Sequence, residues 1–193
     1  MIKTLETERL VMRAFRMDDL AALTVLQAES SFWWYPLRRG MEPHETAGFL
    51  DRLLADQHAP DRPSFHAVIE GSSGVLMGWA GLSVPNFLPE VLPAIEVGWR
   101  LGSRHRGHGY ATEAAAAALD WGFGDLGLAS VVSIFEPENV PSGRVMDRLG
   151  FDLGFDTLHP ARHLPIRVRS LTAGRWRGRR PADGPDRRTG PDR

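Results

Sequence analysis

Two glycines that separate a strand-like segment from an alanine-rich helix constrain the fold of this chain most strongly. Residues 94–101 read as a strand, and the run Arg-His-Arg-Gly-His-Gly-Tyr-Ala-Thr-Glu follows at residues 104–113. Gly107 and Gly109 permit positive φ angles and let another molecule approach the backbone closely. The first turn of a helix directs free N–H groups and the positive end of its dipole toward one point. With two arginines beside it, this turn is predicted to bind a phosphate group.

Two other phosphate-binding motifs match the sequence of this turn less well. A dinucleotide-binding fingerprint needs a third glycine at position 112, where this chain has Thr112. A Walker-type loop needs Gly-Lys-Ser/Thr, which the run lacks. A strand-to-helix turn without a ligand is the plain alternative.

Hydrophobic periodicity and turn residues predict the other elements. Strands are expected at residues 10–14, 64–70, 75–82, 94–101, 129–135, 151–157 and 166–172, and helices at residues 17–28, 43–56, 110–123 and 140–149. This order, β-αα-βββ-α-β-α-ββ, places a meander before a β-α-β unit. We therefore predict an α/β fold with one central mixed sheet and helices on both faces.

Composition narrows the class of protein. Hydrophobic residues make up 42% of the chain, charged residues 24%, and the formal net charge is −1. This balance is that of a globular domain without bulk attraction to nucleic acid or to anionic membranes. No apolar run approaches the ~20 residues that a membrane span needs. The chain has no cysteine, and its histidines lack the spacing of a metal site. We expect a cytoplasmic protein without a metal.

The C-terminal segment has a different composition. Residues 175–193 are rich in Arg, Pro, Gly and Asp and have no apolar period. Such a segment buries too little surface to offset the entropy of ordering it. We therefore predict one domain over residues 5–174 and a disordered tail over residues 175–193.

A second motif follows the strand expected at residues 129–135. It reads Asn-Val-Pro-Ser-Gly-Arg-Val-Met-Asp-Arg-Leu-Gly-Phe at residues 139–151. The pattern Arg104-x-x-Gly107-x-Gly109 resembles the acetyl-CoA motif of the GNAT superfamily of N-acetyltransferases. The second motif is similar to the RimJ/RimL-like subgroup, which acetylates ribosomal-protein N-termini, and residues 7–13 and 95–99 look like that subgroup too. The resemblance covers about residues 5–174.

The resemblance implies a GNAT-like fold in which two parallel strands of the central sheet splay apart around the pantetheine arm of acetyl-CoA. The pyrophosphate would bind amides of the glycine turn. A backbone N–H near Val97 or Gly98 would face the thioester oxygen, with Gly98 as the site of a bulge. The residues that the resemblance assigns to acetyl-CoA are Val97, Trp99, Arg104, Arg106, Gly107, His108, Gly109, Tyr110, Ala111, Thr112, Asn139 and Ser142.

Catalytic roles are carried over in the same way. Glu96 is the candidate base, acting through water, and its alternative is a strand residue facing solvent or pairing with an arginine. Asn139 would orient the ligands, although Asn also suits a helix N-cap. Many family members have a tyrosine seven residues after this Asn, where the chain has Met146. Ser142 is therefore the candidate group for protonating or hydrogen-bonding the leaving sulfur, or it is an ordinary first-turn serine.

The acceptor is expected to be a primary amine, in first place a peptide or protein N-terminal α-amine. The aromatic cluster Phe32, Trp33, Trp34 and Tyr35 either lines the acceptor site, with Trp33, Trp34 and Tyr35 as the substrate-binding residues, or covers the core. A small-molecule acceptor such as an aminoglycoside or a polyamine is the alternative, and a non-catalytic acyl-CoA-binding module is another. The expected assembly is a monomer or a homodimer.

Overall fold

The computed structural model describes residues 2–33, 37–58 and 63–179. Its strands are β1 Leu5–Glu6, β2 Leu10–Arg13, β3 Phe65–Glu70, β4 Leu76–Ser83, β5 Glu96–Leu101, β6 Ser130–Phe135, β7 Phe155–Leu158 and β8 Pro165–Thr172. Its α-helices are α1 Leu20–Gln27, α2 Pro43–His58, α3 Tyr110–Gly124, α4 Val140–Leu149 and α5 Ala173–Arg177. Short 3-10 turns occupy Met17–Asp19, Pro89–Val91 and Ser103–His105.

The strands form one mixed sheet in the order β1-β2-β3-β4-β5-β6-β8-β7. β5 and β6 are parallel, while the other neighbours are antiparallel. The parallel pair is possible because α3 crosses over the sheet between the two strands. The predicted mixed sheet is confirmed. The two-residue strand β1 and the helix α5 were not foreseen.

Helices cover both faces of the sheet, and alternation along each strand divides the core between them. On β3, Val68 packs in the cluster formed with α3 and α4. Its neighbours Ala67 and Ile69 pack on the other face, in the cluster formed with α1 and α2. The prediction of helices on both faces is therefore confirmed. No helix in the described part of the chain is both long enough and apolar enough to cross a membrane.

Helix α5 extends the packed structure beyond residue 174, where composition predicted the domain to end. Trp176 is 8% exposed and belongs to the core cluster of α3 and α4. Its indole N–H donates to Asp120 of α3 at 2.9 Å. One aromatic residue among arginines produces no hydrophobic period, which is why the pattern did not identify this helix. The rest of the predicted tail, residues 180–193, lies outside the described residues.

Replacing Trp176 with alanine should lower the free energy of unfolding by about 3–5 kcal/mol, the usual cost of truncating a buried aromatic residue. Trp176→Phe keeps most of the apolar contact and should cost much less. The measurement is a denaturant titration of both variants, read as a change of midpoint at constant slope. An unchanged midpoint for Trp176→Ala would show that α5 does not pack on the domain.

Candidate active site

A cleft of about 610 Å³ opens where β5, α3 and α4 meet. Its walls are the C-terminal half of β5, the glycine turn with the first residues of α3, and the start of α4. These walls converge because α3 and α4 pack on the same face of the sheet. The predicted acetyl-CoA residues that line the cleft are Trp99, Arg106, Gly107, Gly109, Tyr110, Ala111, Thr112, Asn139 and Ser142.

The glycine turn presents unpaired amides to this cleft. Gly107 and Gly109 have φ angles of 83° and 84°, in the left-handed region that other residues rarely adopt. The Glu113 N–H donates to the Gly109 carbonyl at 3.0 Å. The three amides between these two residues precede that bond and have no acceptor within residues 2–33, 37–58 and 63–179. Free N–H groups and the helix dipole together favour an anion at this point.

Arg9 supports the turn from its outer side. Its Nη1 donates to the His108 carbonyl at 3.0 Å, and its Nε donates to the Glu113 carboxylate at 2.7 Å. The guanidinium also lies over the Tyr110 ring, 4.5 Å from its centroid. Arg9 thus compensates the negative charge of Glu113 at the N-terminal end of α3, where an anion is expected to bind.

Strands β5 and β6 part after a single residue pair. Glu96 is registered with Val132, and the Val132 N–H donates to the Ile95 carbonyl at 2.8 Å. On its other side β5 keeps a continuous register with β4, through Gly98 opposite Gly81. The predicted bulge at Gly98 is therefore wrong, because β5 stays paired with β4 throughout. The sheet opens on the β6 side only.

The direction of the backbone groups along β5 identifies the donor that faces this gap. Successive residues of a strand direct their N–H and C=O groups to opposite sides. The Gly102 N–H donates to the Met77 carbonyl next to β4 at 2.9 Å, so Gly98 also directs its groups toward β4. Trp99 directs its N–H toward the gap. Val97 shares that direction but lies at the paired end, next to Val132.

Glu96 begins β5 at the point where the gap opens. Its side chain is partly buried, and loss of hydration raises the pKa of its carboxyl to about 7. The Ile134 amide, the charge of Arg100 and the Ser83 hydroxyl oppose this rise in pKa. A carboxyl that titrates near neutral pH is suited to take a proton from an amine.

Asn139 and Ser142 mark the start of α4 and both line the cleft. The Asn139 Oδ1 accepts the Ser142 N–H at 3.3 Å, which is the bond of a helix N-cap. The capping interpretation is thus confirmed, and it leaves the amide nitrogen of Asn139 available for a ligand. Met146, at the family's tyrosine position, is 1% exposed and packs in the core of α3 and α4.

A family model described as "Acetyltransferase (GNAT) domain" matches residues 9–152. The chain belongs to the GNAT acetyltransferase family. A relative from Bacillus licheniformis, the uncharacterized N-acetyltransferase p20, is 26% identical over 150 residues, which are 78% of this chain and 83% of the relative. The chain is therefore an acyltransferase of the GNAT type.

Solved GNAT structures share this fold but differ in the acceptors they are named for. An acetyltransferase from Agrobacterium tumefaciens is 30% identical with a TM-score of 0.72, over 89% of this chain and 95% of that one. A ribosomal-protein-S5-alanine acetyltransferase from Vibrio fischeri is 19% identical with a TM-score of 0.71, over 91% and 99%. A spermidine N-acetyltransferase chimera from Vibrio cholerae and hSSAT is 20% identical with a TM-score of 0.69, over 88% and 99%. The fold alone does not assign the acceptor.

Some residues that the GNAT resemblance assigned to acetyl-CoA do not line the cleft. Val97 is fully buried in the core of α3 and α4. Arg104 is exposed on the 3-10 turn that precedes the glycine turn, and the His108 side chain is exposed as well. A residue of this turn can direct its backbone toward the cleft and its side chain away from it. The linear motif therefore does not show which side chains reach the cleft.

Trp33 occupies the core, not the cleft. It is 7% exposed, its ring centroid lies 5.8 Å from that of Phe49, and the Arg100 guanidinium lies 4.2 Å from its centroid. The interpretation of Trp33 as a wall of the acceptor site is therefore replaced by the core interpretation. Trp34 and Tyr35, the other two residues of that prediction, lie outside the described residues.

Several residues of the GNAT cleft were missed. Val145 and Arg148 line it from α4, three and six residues after Ser142. Helical spacing of about three to four residues from Ser142 would have identified this face. Ser31, in the loop after α1, also lines the cleft, next to Phe32 of the predicted aromatic cluster. No local pattern predicts that placement, because it depends on contacts with residues far along the chain.

Proposed function

We propose that this GNAT acetyltransferase transfers the acetyl group of acetyl-CoA to the α-amine of a peptide or protein N-terminus. The observation that supports this proposal most is that β5 runs from Glu96, whose carboxyl has a pKa of about 7, to the anion-binding glycine turn. Trp99 to Leu101 on β5 line the cleft beside the turn, and Glu96 begins the same strand. At ~3.3 Å per residue, Glu96 and Trp99 are separated by roughly 10 Å along the strand.

The described residues fit acetyl-CoA both at the glycine turn and at the gap beside Glu96. The free amides after Gly109 suit the pyrophosphate, and the gap between β5 and β6 suits the pantetheine arm. The Trp99 N–H faces that gap and would donate to the thioester oxygen, where negative charge develops during the reaction. Asn139 would hold the ligands from the α4 side.

Each proton of the transfer has a candidate residue. The amine nitrogen attacks the thioester carbon, a C–N bond forms, and the C–S bond breaks. Glu96 would accept the proton that the amine loses, through a water molecule. Ser142 would hydrogen-bond to the departing sulfur and relay to it a proton taken from solvent water, so that its own hydroxyl is restored, since it lines the cleft and is not a core residue.

The cleft offers few acidic residues with which to bind a polycationic acceptor, and a peptide α-amine carries fewer charges to compensate. The basic residues Arg100, Arg106, Arg144 and Arg148 line the cleft, and Glu138 is the acidic residue among its lining. Glu136, the neighbouring acid that a polyamine would need beside Glu138, is 3% exposed and pairs with Arg38 at 2.6 Å. A polycation would need several free carboxylates that converge, because isolated exposed pairs contribute little.

The proposal is tested by calorimetry with acetyl-CoA, followed in the same sample by release of free CoA. The acceptor panel contains peptides with a free N-terminus, the same peptides with a blocked N-terminus, spermidine and an aminoglycoside. CoA release with free peptides only is the expected result. CoA release with spermidine or the aminoglycoside would identify the acceptor as a small molecule and contradict the peptide proposal. Binding without release for any amine would indicate a non-catalytic acyl-CoA module.

A further inference from the structure

We propose that Arg106 is a positioning residue that ties Ser31 and Phe32, which line the cleft from the loop after α1, to the glycine turn, and that it is not a ligand of the pyrophosphate. The inference deepens the proposed function and rests on it, because acetyl-CoA is taken to be the molecule that binds the turn. Its consequence is that occupation of the turn is transmitted to the segment after α1.

The contacts of Arg106 lead away from the turn's free amides. Its Nε donates to the Leu101 carbonyl at 3.0 Å, and its Nη2 donates to the Ser31 carbonyl at 2.9 Å. Partial burial lowers the pKa of this guanidinium, and the nearby charge of Glu29 opposes that effect. Two N–H donors of the planar guanidinium thus bind two backbone carbonyls at once. Arginine provides this fixed arrangement of donors, and lysine does not.

Neighbouring contacts fix the same segment to the same part of the chain. The Arg100 Nη1 donates to the Phe32 carbonyl at 2.6 Å, so consecutive carbonyls at Ser31 and Phe32 are bound by arginines from β5 and the turn. The Glu29 carboxylate accepts the Ser103 N–H at 3.0 Å. Residues 29–32 are therefore attached at three points to residues 100–106, at the entrance of the turn.

Hydrogen bonds within the segment make this attachment measurable. The Phe32 N–H donates to the Glu29 carbonyl at 2.9 Å, and the Ala28 N–H donates to the Thr24 carbonyl at 3.0 Å. Exchange of such amides reports local opening. If the segment and the turn move together, a ligand on the turn slows exchange in both.

Arg104 provides a matched control two residues earlier. It carries the same charge, lies at the start of the same motif, and is exposed. Arg104→Met and Arg106→Met therefore change the charge near the turn equally. Arg106→Lys is the second test variant, because it keeps the charge while it removes the fork that reaches two carbonyls.

The experiment measures the Kd of acetyl-CoA by calorimetry and amide exchange by mass spectrometry, with and without acetyl-CoA. In the unmodified protein we expect slower exchange in residues 103–112 and in residues 24–33. In Arg106→Met and Arg106→Lys we expect protection of residues 103–112 only, with a Kd within about threefold of the parent, since no phosphate contact is lost. Arg104→Met should retain protection in both segments.

Other outcomes overturn the inference. A Kd raised tenfold or more in Arg106→Met, with residues 24–33 still protected at saturation, would make Arg106 a phosphate ligand. Protection of residues 24–33 that is the same in all variants would mean that acetyl-CoA touches Ser31 or Phe32 directly. If the unmodified protein does not bind acetyl-CoA, the proposed function fails, and the inference fails with it.

Discussion

Gly109→Val should raise the Kd of acetyl-CoA on the order of 100-fold or more. A valine side chain there would stand beside the free amides at the start of α3 and keep a phosphate from reaching them. Hydrogen bonds to a charged group contribute about 1.5–3 kcal/mol each, so loss of two of them gives an effect of this size. The backbone φ of 84° at Gly109 also strains any β-branched residue,.

The control for that strain is Gly127→Val. Gly127 has a φ of 65°, is exposed, and has no atom within 4 Å of an added Cβ, so its substitution strains the backbone outside the cleft. Both variants should lose stability of a similar size, about 1–3 kcal/mol. Calorimetry should then show lost binding for Gly109→Val only. If Gly109→Val bound acetyl-CoA as tightly as Gly127→Val, the glycine turn would not be part of the acetyl-CoA site.

Glu96→Gln should lower kcat by about 100-fold or more, the usual contribution of a general base, while the Kd of acetyl-CoA changes little. In the parent, kcat/KM calculated on the concentration of unprotonated amine should rise with pH up to about 7, where the Glu96 carboxyl loses its proton, and stay level above it. The variant should lose that rise. Glu90→Gln is the control, because Glu90 is an exposed glutamate outside the cleft. Unchanged turnover in Glu96→Gln would assign the base to another group.

The same substitution should also change how stability depends on pH. The folded protein raises the pKa of Glu96 from its ordinary value of 4.5 to about 7. Between these values the folded state holds a proton that the unfolded state has released, so this group makes stability fall as pH rises from 4.5 to about 7. Glutamine cannot ionise, and Glu96→Gln should show a weaker fall in that range. Chemical denaturation at pH 5 and at pH 8 gives the comparison.

The sequence predicted the parts of this molecule that depend on local rules. The glycine turn follows from the conformational freedom of Gly107 and Gly109, and α4 begins and ends where Asn139 and Gly150 indicate. The strands expected at residues 64–70 and 75–82, the start of the predicted meander, form β3 and β4 with an antiparallel register. These features are recognisable because backbone geometry and short-range hydrogen bonds determine them.

Features that depend on distant partners were not predicted. Arg106 looked like a phosphate ligand by its position in the motif, whereas Ser31, 75 residues earlier, accepts its hydrogen bond. Trp33 looked like part of an aromatic loop, yet Phe49 and Arg100 hold it in the core. Trp176 lay in an arginine-rich segment, and only Asp120 and the α3 core give it a buried place. In each case the partner lies in another element, which a linear pattern does not show.

The separation of β5 from β6 has a mechanical consequence. β1 to β5 form one continuous hydrogen-bonded ladder and β6 to β8 form another, and the two ladders are joined by one registered pair, Glu96 with Val132. Side-chain packing under α3 and α4, not the backbone, therefore carries most of the connection between the two halves of the sheet. A thin, extended molecule that fills the gap would offer both ladders the partners they lack. Its binding energy would then add to the cohesion of the whole domain, and acetyl-CoA would serve the protein as a removable strand of its own sheet.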